Sequence, residues 1–453
     1  MFRCRNLETS WPALVLALAL TVSVQAQVAL NGYVKTDVRA RIKGGHRLTW
    51  NENRLDLKLK AHLSDKAVLT AETWVRSFGF PTATRVAELR YRDRRAVLPW
   101  AVDLREAYVD FYGFLFSNLD VRVGKQRIAW GTADKINPTD NLNPKDFEDP
   151  LDFGRKLPVN ALRTTVYVGD WSVEAVYVPA FTPAVLPPPE WRLGQQASLP
   201  LPPDVQVTGT ASTLLLPPQT LKDGANVGFK LSGTLAGYDV SASYAYVRDD
   251  MPLATDVVFK PTSPTAGVVS TRLGFPRYHV FGADLAGEFH GVGLWAETAG
   301  FLPTEKVLTT VTLPTQDGPV TTFETALRKQ MFVKYVLGGD YTFGNGVYLN
   351  GQFVHGFYGE RGRDGLQDYL MLALEKRFLH DELKVRLGAA AQARSLSEAT
   401  DNYTWIAFPE LSYYPVDNVE LVLGAYTIHA EGETTLAGFA GKDEVYTKIK
   451  VSF

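Results

Sequence analysis

The sequence predicts an all-β fold, a transmembrane antiparallel β-barrel of about 18 strands, with about 16 as the alternative. Three observations predict it. Segments of roughly ten residues alternate apolar and polar side chains along most of the chain. The connections between them alternate short and long. No stretch after Ala26 is apolar over the roughly 20 residues that a membrane helix needs.

The N-terminus comes first. Arg3 and Arg5 precede the uncharged run Trp11 to Val24, and Val24-Gln25-Ala26 offers small residues where a signal peptidase reads. Residues 1–26 are therefore expected to be a cleaved signal peptide, and 27–453 a single barrel domain. Cleavage removes Cys4, the only cysteine, which excludes disulfides, cysteine-ligated metals and a cysteine nucleophile from the mature chain. The formal net charge of -2 gives no basis for nucleic-acid binding.

Alternating segments then fall at 28–42, 51–63, 66–77, 101–112, 118–130, 160–168, 170–179, 225–235 and 237–248. They continue at 277–289, 291–301, 331–343, 346–358, 367–378, 382–395, 402–414, 417–430 and 442–453. After even-numbered segments the links are short, such as Ser64-Asp65, Gly169, Ala236, His290 and Gly344-Asn345. After odd-numbered segments they are longer, such as 78–100, 131–159, 180–224, 249–276 and 302–330. Short periplasmic turns and long extracellular loops produce this parity in a membrane barrel, and a soluble sandwich has no reason to sort its loops so.

Alternate strand residues face opposite sides. Leu55, Leu57, Leu59, Ala61 and Leu63 share one face, and Asp56, Lys58, Lys60 and His62 the other. Lipid takes the first face, because a charge there costs up to about 2–4 kcal/mol at the midplane. The same bookkeeping sends Lys58, Lys60, Glu72, Arg76, Glu106, Asp110, Lys384, Arg386, Lys448 and Lys450 to the lumen, with Asp284 and Glu297 among further acids. The lumen is thus of mixed sign. Val445, Thr447, Ile449, Val451 and Phe453 face lipid on the last strand, whose free edge must pair with the strand near Asn31 to Arg41 to close a cylinder.

Residues 118–160 hold the densest motif, R-V-G-K-Q-R-I-A-W-G followed by two Asn-Pro pairs, Asn137-Pro138 and Asn143-Pro144. Val121 and Val123 face out, and the same parity then reaches Lys125 and Arg127. Either a bulge near Gly124 resets the register or the chain from Lys125 onward lies above the hydrocarbon. This stretch resembles a group of poorly characterised bacterial outer-membrane barrels that carry a strand G-[KR]-Q-x-x-x-W-G and a following Asn-Pro and Asp-rich loop. The terminal Phe453 also resembles the C-terminal signature of outer-membrane barrels, where it acts as an assembly signal read by the barrel assembly machinery. The layout is similar to that of porins, whose third long loop folds into the lumen. The resemblance implies a Gram-negative outer-membrane location among its lipids, and leaves open a homotrimer.

The third long loop, 131–159, is expected to fold inward and constrict the pore. Its candidates are Asp134, Lys135, Asp140, Asp146, Glu148, Asp149 and Asp152, with Arg122, Gln126 and Trp130 before it, and its acids are expected opposite lumen arginines such as Arg122. The alternative is a solvated external loop. Calcium bound through these carboxylates is a further possibility, although the spacing matches no defined calcium loop; otherwise no cofactor or metal is expected. Residues 180–222 are proline-rich and apolar, and Trp191, Leu199, Leu201 and Leu214 to Leu216 could cap the mouth, bind an apolar ligand, dip into lipid or pack on neighbouring loops. Residues 302–328 look like a plain hairpin extension.

No nucleophile elbow, phosphate loop or dinucleotide fingerprint occurs, so no enzyme is expected. A barrel this wide admits an aqueous channel. The first expectation is passive transport of an unnamed small solute through a porin-like channel. A conduit for hydrophobic molecules or lipids, with 180–222 as the first contact, is the second. An adhesin or structural barrel is the third.

Overall fold

A computed structural model describes residues 27–90, 95–152, 154–191, 205–263, 265–315, 318–395, 397 and 399–453. The expected signal peptide lies outside them. The strands in chain order begin with β1 (Gln27–Arg41), β2 (Leu48–Ser64), β3 (Ala67–Phe78), β4 (Trp100–Phe111), β5 (Leu119–Gln126), β6 (Val159–Val168) and β7 (Trp171–Val178). Next come β8 (Gln206–Leu214), β9 (Asn226–Leu235), β10 (Tyr238–Arg248), β11 (Leu253–Ser263), β12 (Ala266–Gly274), β13 (Arg277–Phe289) and β14 (Val292–Pro303). The last are β15 (Val307–Thr315), β16 (Gly318–Leu327), β17 (Phe332–Thr342), β18 (Tyr348–His355), β19 (Asp368–Phe378), β20 (Leu383–Ala393), β21 (Tyr403–Tyr413), β22 (Val419–Glu431) and β23 (Glu444–Ser452).

Eighteen of them form one sheet in which chain neighbours pair antiparallel, β8, β11, β12, β15 and β16 standing apart. β23 returns to β1 in the register Tyr33↔Ser452 to Arg41↔Glu444, which closes the cylinder on the segment expected. Eighteen strands, not 16, is the number. Closure pairs the first strand with the last, as a strand-built membrane protein requires. Gly32 and Phe453 exchange two backbone hydrogen bonds of 3.0 Å at the foot of this seam.

The alternating pattern has the expected physical outcome. Leu370, Leu372 and Leu374 on β19, Leu421 and Leu423 on β22, and Val445, Ile449 and Val451 on β23 are all exposed on the outer surface. Such a continuous apolar belt is stable only against lipid. Inward residues carry the charge, with Asp37, Glu52 and Arg54 buried among one another. The short links turn tightly. Ala236-Gly237 and His290-Gly291 both have positive φ at two successive residues, as two-residue hairpins demand.

The long connections hold more order than their sequence promises. β11 and β12 form a hairpin within 249–276, and β8 lies within the proline-rich segment. The 302–328 segment is the expected hairpin, β15 with β16. All five join in one sheet in the order β16-β15-β11-β12-β8, through parallel pairings β11–β15 and β12–β8. Trp191 is buried against Phe439, with ring centroids 5.1 Å apart, so it packs on a neighbouring loop. Leu214 to Leu216 stay exposed at the end of β8, and Leu199 and Leu201 lie outside the described residues.

Candidate functional site

The segment between β5 and β6, residues 127–158, turns into the barrel, and most of its side chains are buried. Its motif explains the departure from the wall. Lys125 keeps the outward parity of Val121 and Val123, and the β4–β5 and β5–β6 registers run without a shift, so no bulge resets β5 at Gly124. Gly124 has φ +129°, and a Cβ there would stand 2.3 Å from the Ala107 carbonyl oxygen. Gln126 is fully buried and donates to the Ala161 carbonyl at 2.9 Å. Trp130 is 3% exposed and donates its indole N–H to Glu174 on β7 at 2.7 Å. Gly228 on β9 makes room for that ring, since a Cβ there would lie 2.5 Å from it. Gly131 has φ +87°, a conformation that favours glycine, and a Cβ there would displace the Glu297 carboxylate.

Beyond Gly131 the loop meets walls all round the barrel. Glu297 on β14 accepts the backbone N–H groups of Thr132, Ala133 and Thr139 at 3.1, 3.1 and 2.7 Å. It also accepts the Asn137 amide at 3.1 Å and the Thr139 hydroxyl at 2.7 Å. Gln352 on β18 bonds both the N–H and the carbonyl of Asp134 at 3.0 Å. Arg39 on β1 grips Asp149 with two bonds of 2.8 and 2.6 Å. Arg76 on β3 grips Glu148 with two of 2.7 and 2.8 Å. Arg105 on β4 donates to the Lys156 carbonyl at 3.1 Å. Tyr358, between β18 and β19, donates to the Lys135 carbonyl at 2.6 Å.

Within the loop, Arg127 pairs with Asp140, and Arg155 with Asp146 at 2.7 Å. Lys145 donates to Asp250, on the connection after β10, at 2.6 Å. An apolar cluster backs these ions. Ile136 and Phe147 of the loop pack with Trp191, Phe357, Leu436 and Phe439 from three other connections, and with Val336 and Val354 of the wall.

Burial opposes the charge of Asp149, but Arg39 outweighs it and holds the carboxyl well below the usual range. Burial opposes that of Glu148 too, and Arg76 and then Arg155 bring it below its ordinary value. Lys156, fully enclosed near Asp140, is pushed down to about 8 by burial.

Arg122 departs from expectation. It bonds Asp110 on the adjacent strand at 2.6 Å and meets no loop acid, because β5 carries it below the point where the loop turns inward. Among the loop candidates, Asp134 and Lys135 are exposed, Asp152 is half-buried, and Asp140, Asp146 and Asp149 are buried. Among the described residues no group of His, Cys, Asp or Glu is arranged to hold a metal. Among the wall charges, Lys58 pairs with Glu72 at 2.8 Å, and Glu106 accepts the Arg127 N–H at 2.8 Å. Lys60 lies opposite Thr70, Lys384 opposite Ser412, Arg386 opposite Glu410, Lys448 opposite Asp37 and Lys450 opposite Glu420. The anchors Arg39, Arg105, Glu174 and Gln352 were not singled out by sequence. Inward parity marks Arg39, Glu174 and Gln352 as lumen residues, while Arg105 turns inward only through a bulge in β4, and nothing in the chain names their partners.

The fold is that of known barrels. The chain is similar to Pseudomonas aeruginosa OpdK, solved with vanillate, at 11% identity and a TM-score of 0.51, covering 94% of this chain and 98% of that one. A second structure of the same protein, OccK1 (OpdK), gives 11% identity and a TM-score of 0.50 over the same shares. No protein with a curated description matches. A family model matches residues 29–301, more than half of the chain, from the first barrel strand through the anchored loop to Glu297 and beyond. The chain therefore belongs to the family described as "Protein of unknown function (DUF1302)".

Proposed function

We propose that this protein is an outer-membrane channel of the porin kind, through which small solutes diffuse passively past the inward loop 127–158. The observation that carries the reading is the loop's attachment across the lumen, from Arg39 and Arg76 on one side to Glu297 and Gln352 on the other. Rigid anchoring of this kind suits a fixed constriction better than a mobile external loop, since a dozen bonds to the wall must break before it leaves. Asp134 and Lys135 are exposed on the loop and are the side chains assigned to meet the solute. The remaining loop acids act by holding the loop in place. Selection then rests on width and local charge, and no energy source or catalytic group is needed.

Planar-bilayer conductance tests it. The wild type should show small single-channel steps, and deleting Asn137 to Asp149 should enlarge them by about threefold or more as the lumen clears. Unchanged steps sink the constriction. No conductance from either protein sinks the channel and favours a structural barrel. A lipid that copurifies and blocks conductance favours the hydrophobic conduit.

A further inference from the structure

One seam of the wall is incomplete. β3 pairs along β4 from Trp100 to Phe111. On its other side β4 meets β5 over only five residue pairs, from Ala107↔Lys125 to Phe111↔Val121. After Gln126 the chain leaves the wall for the lumen, and it rejoins at Val159 opposite Gln126. Five pairs at about 3.3 Å per residue, tilted by roughly 40°, close only about 10–13 Å of an apolar belt about 25 Å tall. Above that height Trp100, Val102 and Leu104 still present side chains to the outside, each about half exposed, and among the described residues β3 flanks them on one side and no strand on the other. Unpaired backbone is costly against hydrocarbon, so something must stand at this edge.

A cavity of about 600 Å³ lies there. Its lining runs from the outward Val102 and Leu104 to the inward Arg76 and Glu148, with Pro158 and Val185 on the far side, so it passes through the wall. Its size is that of ordinary small-molecule sites. A bulge helps to shape it. Glu72 pairs with Glu106 and Thr73 with Leu104, which leaves Arg105 as the extra residue and lets Arg105 and Glu106 both turn inward. Arg105 stacks on Trp74 at 4.2 Å.

The lining holds three cations, Arg76, Arg105 and Lys125, and three carboxylates, and their pairing is uneven. Asp103 and Glu148 share Arg76 at 3.1 and 2.7 Å, and Asp146 pairs with Arg155, which stands outside the lining, at 2.7 Å. Lys125 forms no ion pair among the described residues and donates only to the Leu104 carbonyl, at 2.6 Å. Arg105 has Asp146 no nearer than 3.6 Å. Aliphatic side chains on the lipid side and an uncompensated ammonium on the threshold fit a molecule with a tail and a negative head.

The geometry points to a lateral doorway: the β4–β5 seam passes single-chain amphiphiles with an anionic head between the lipid phase and the lumen. Lys125 and Arg105 receive the head, and Val102, Leu104 and Val185 line the path of the tail. The proposal rests on the lumen being a passage, so its test reads the seam separately from conduction.

The purified barrel in phosphatidylcholine nanodiscs is irradiated with dodecanoate that carries a diazirine at its terminal carbon, and the labelled peptides are mapped. Label should concentrate on residues 102–104 and 182–185, about fivefold above β19 on the opposite wall. Lys125→Glu should lower it roughly tenfold, the factor that about 1.4 kcal/mol of lost attraction produces, and a dodecyl trimethylammonium probe should not label the seam. Retained heat-modifiable mobility shows that the variant is folded. Label spread evenly round the belt, or unchanged by Lys125→Glu, overturns the doorway. Conductance of the same preparation decides the channel on its own: a conducting barrel with even labelling loses only the doorway, and a non-conducting one with a labelled seam loses only the passage.

Discussion

Glu297 accepts five hydrogen bonds from four loop residues while itself 2% exposed. Removing a buried acceptor strands its donors at about 1–3 kcal/mol each. Glu297→Ala is therefore expected to free the 131–139 stretch, and larger or noisier conductance steps with an intact barrel would show it. Arg39 and Asp149 pose the same problem with charge. Breaking a buried pair by removing one partner costs about 3–5 kcal/mol, because the other charge stays buried alone, so Arg39→Met should loosen the loop more than a surface change would. Limited proteolysis at Lys145 and Arg155 reads that loosening. Acid gives a third test. Asp149 and Glu148 have lowered pKa values in the fold, so their contribution is full above the ordinary carboxylate pKa of about 4. It is lost as pH falls below that value and through their folded values. Conductance should hold steady from neutral pH down to about 4 and rise below it; a rise starting near neutrality would assign the anchoring to other groups.

At the scale of elements, the β5–β6 connection is a strand hairpin whose tip has been drawn into the lumen. Gly124, Gly131 and Gly228 mark where backbone or ring must come close. Gly228→Leu should expel the Trp130 ring and the Ile128–Leu142 packing around it, without touching the register of β9. The expected outcome is a barrel that still migrates as a folded band while its loop becomes sensitive to trypsin. Complete protection would show that Trp130 is not the pivot. The five-stranded sheet built from three other connections has no counterpart in the strand reading, because its pairings β11–β15 and β12–β8 join segments dozens of residues apart. Threonine and valine recur in each hairpin, which favours a strand, but which hairpins adjoin is set by where the barrel brings them.

Over the whole molecule, closure is the step that every other feature depends on. Two backbone bonds join Gly32 to Phe453, and a Cβ on Gly32 would lie 3.0 Å from the terminal ring. If Phe453 is also the mark by which assembly machinery takes up the chain, deleting it should lower the amount of folded barrel in cells several-fold and leave refolding in detergent almost intact, since two bonds at one end of a long seam contribute about 1–3 kcal/mol. Heat-modifiable mobility measures both; an equal loss in detergent would make the residue structural only. By its residues alone the chain determined the barrel strands, their number to 16 or 18, the outward leucines, the inward charges and the parity of its loops, because period-two alternation and turn chemistry are local. It also marked 118–160 as the place where alternation breaks. Tertiary structure decided the rest. Asp149 pairs with Arg39 across 110 positions, and Arg122 stays with its strand neighbour. The β4–β5 seam stops halfway up the wall because the chain was drawn inward. Those are relations between distant segments, set by the circumference that only a closed cylinder has.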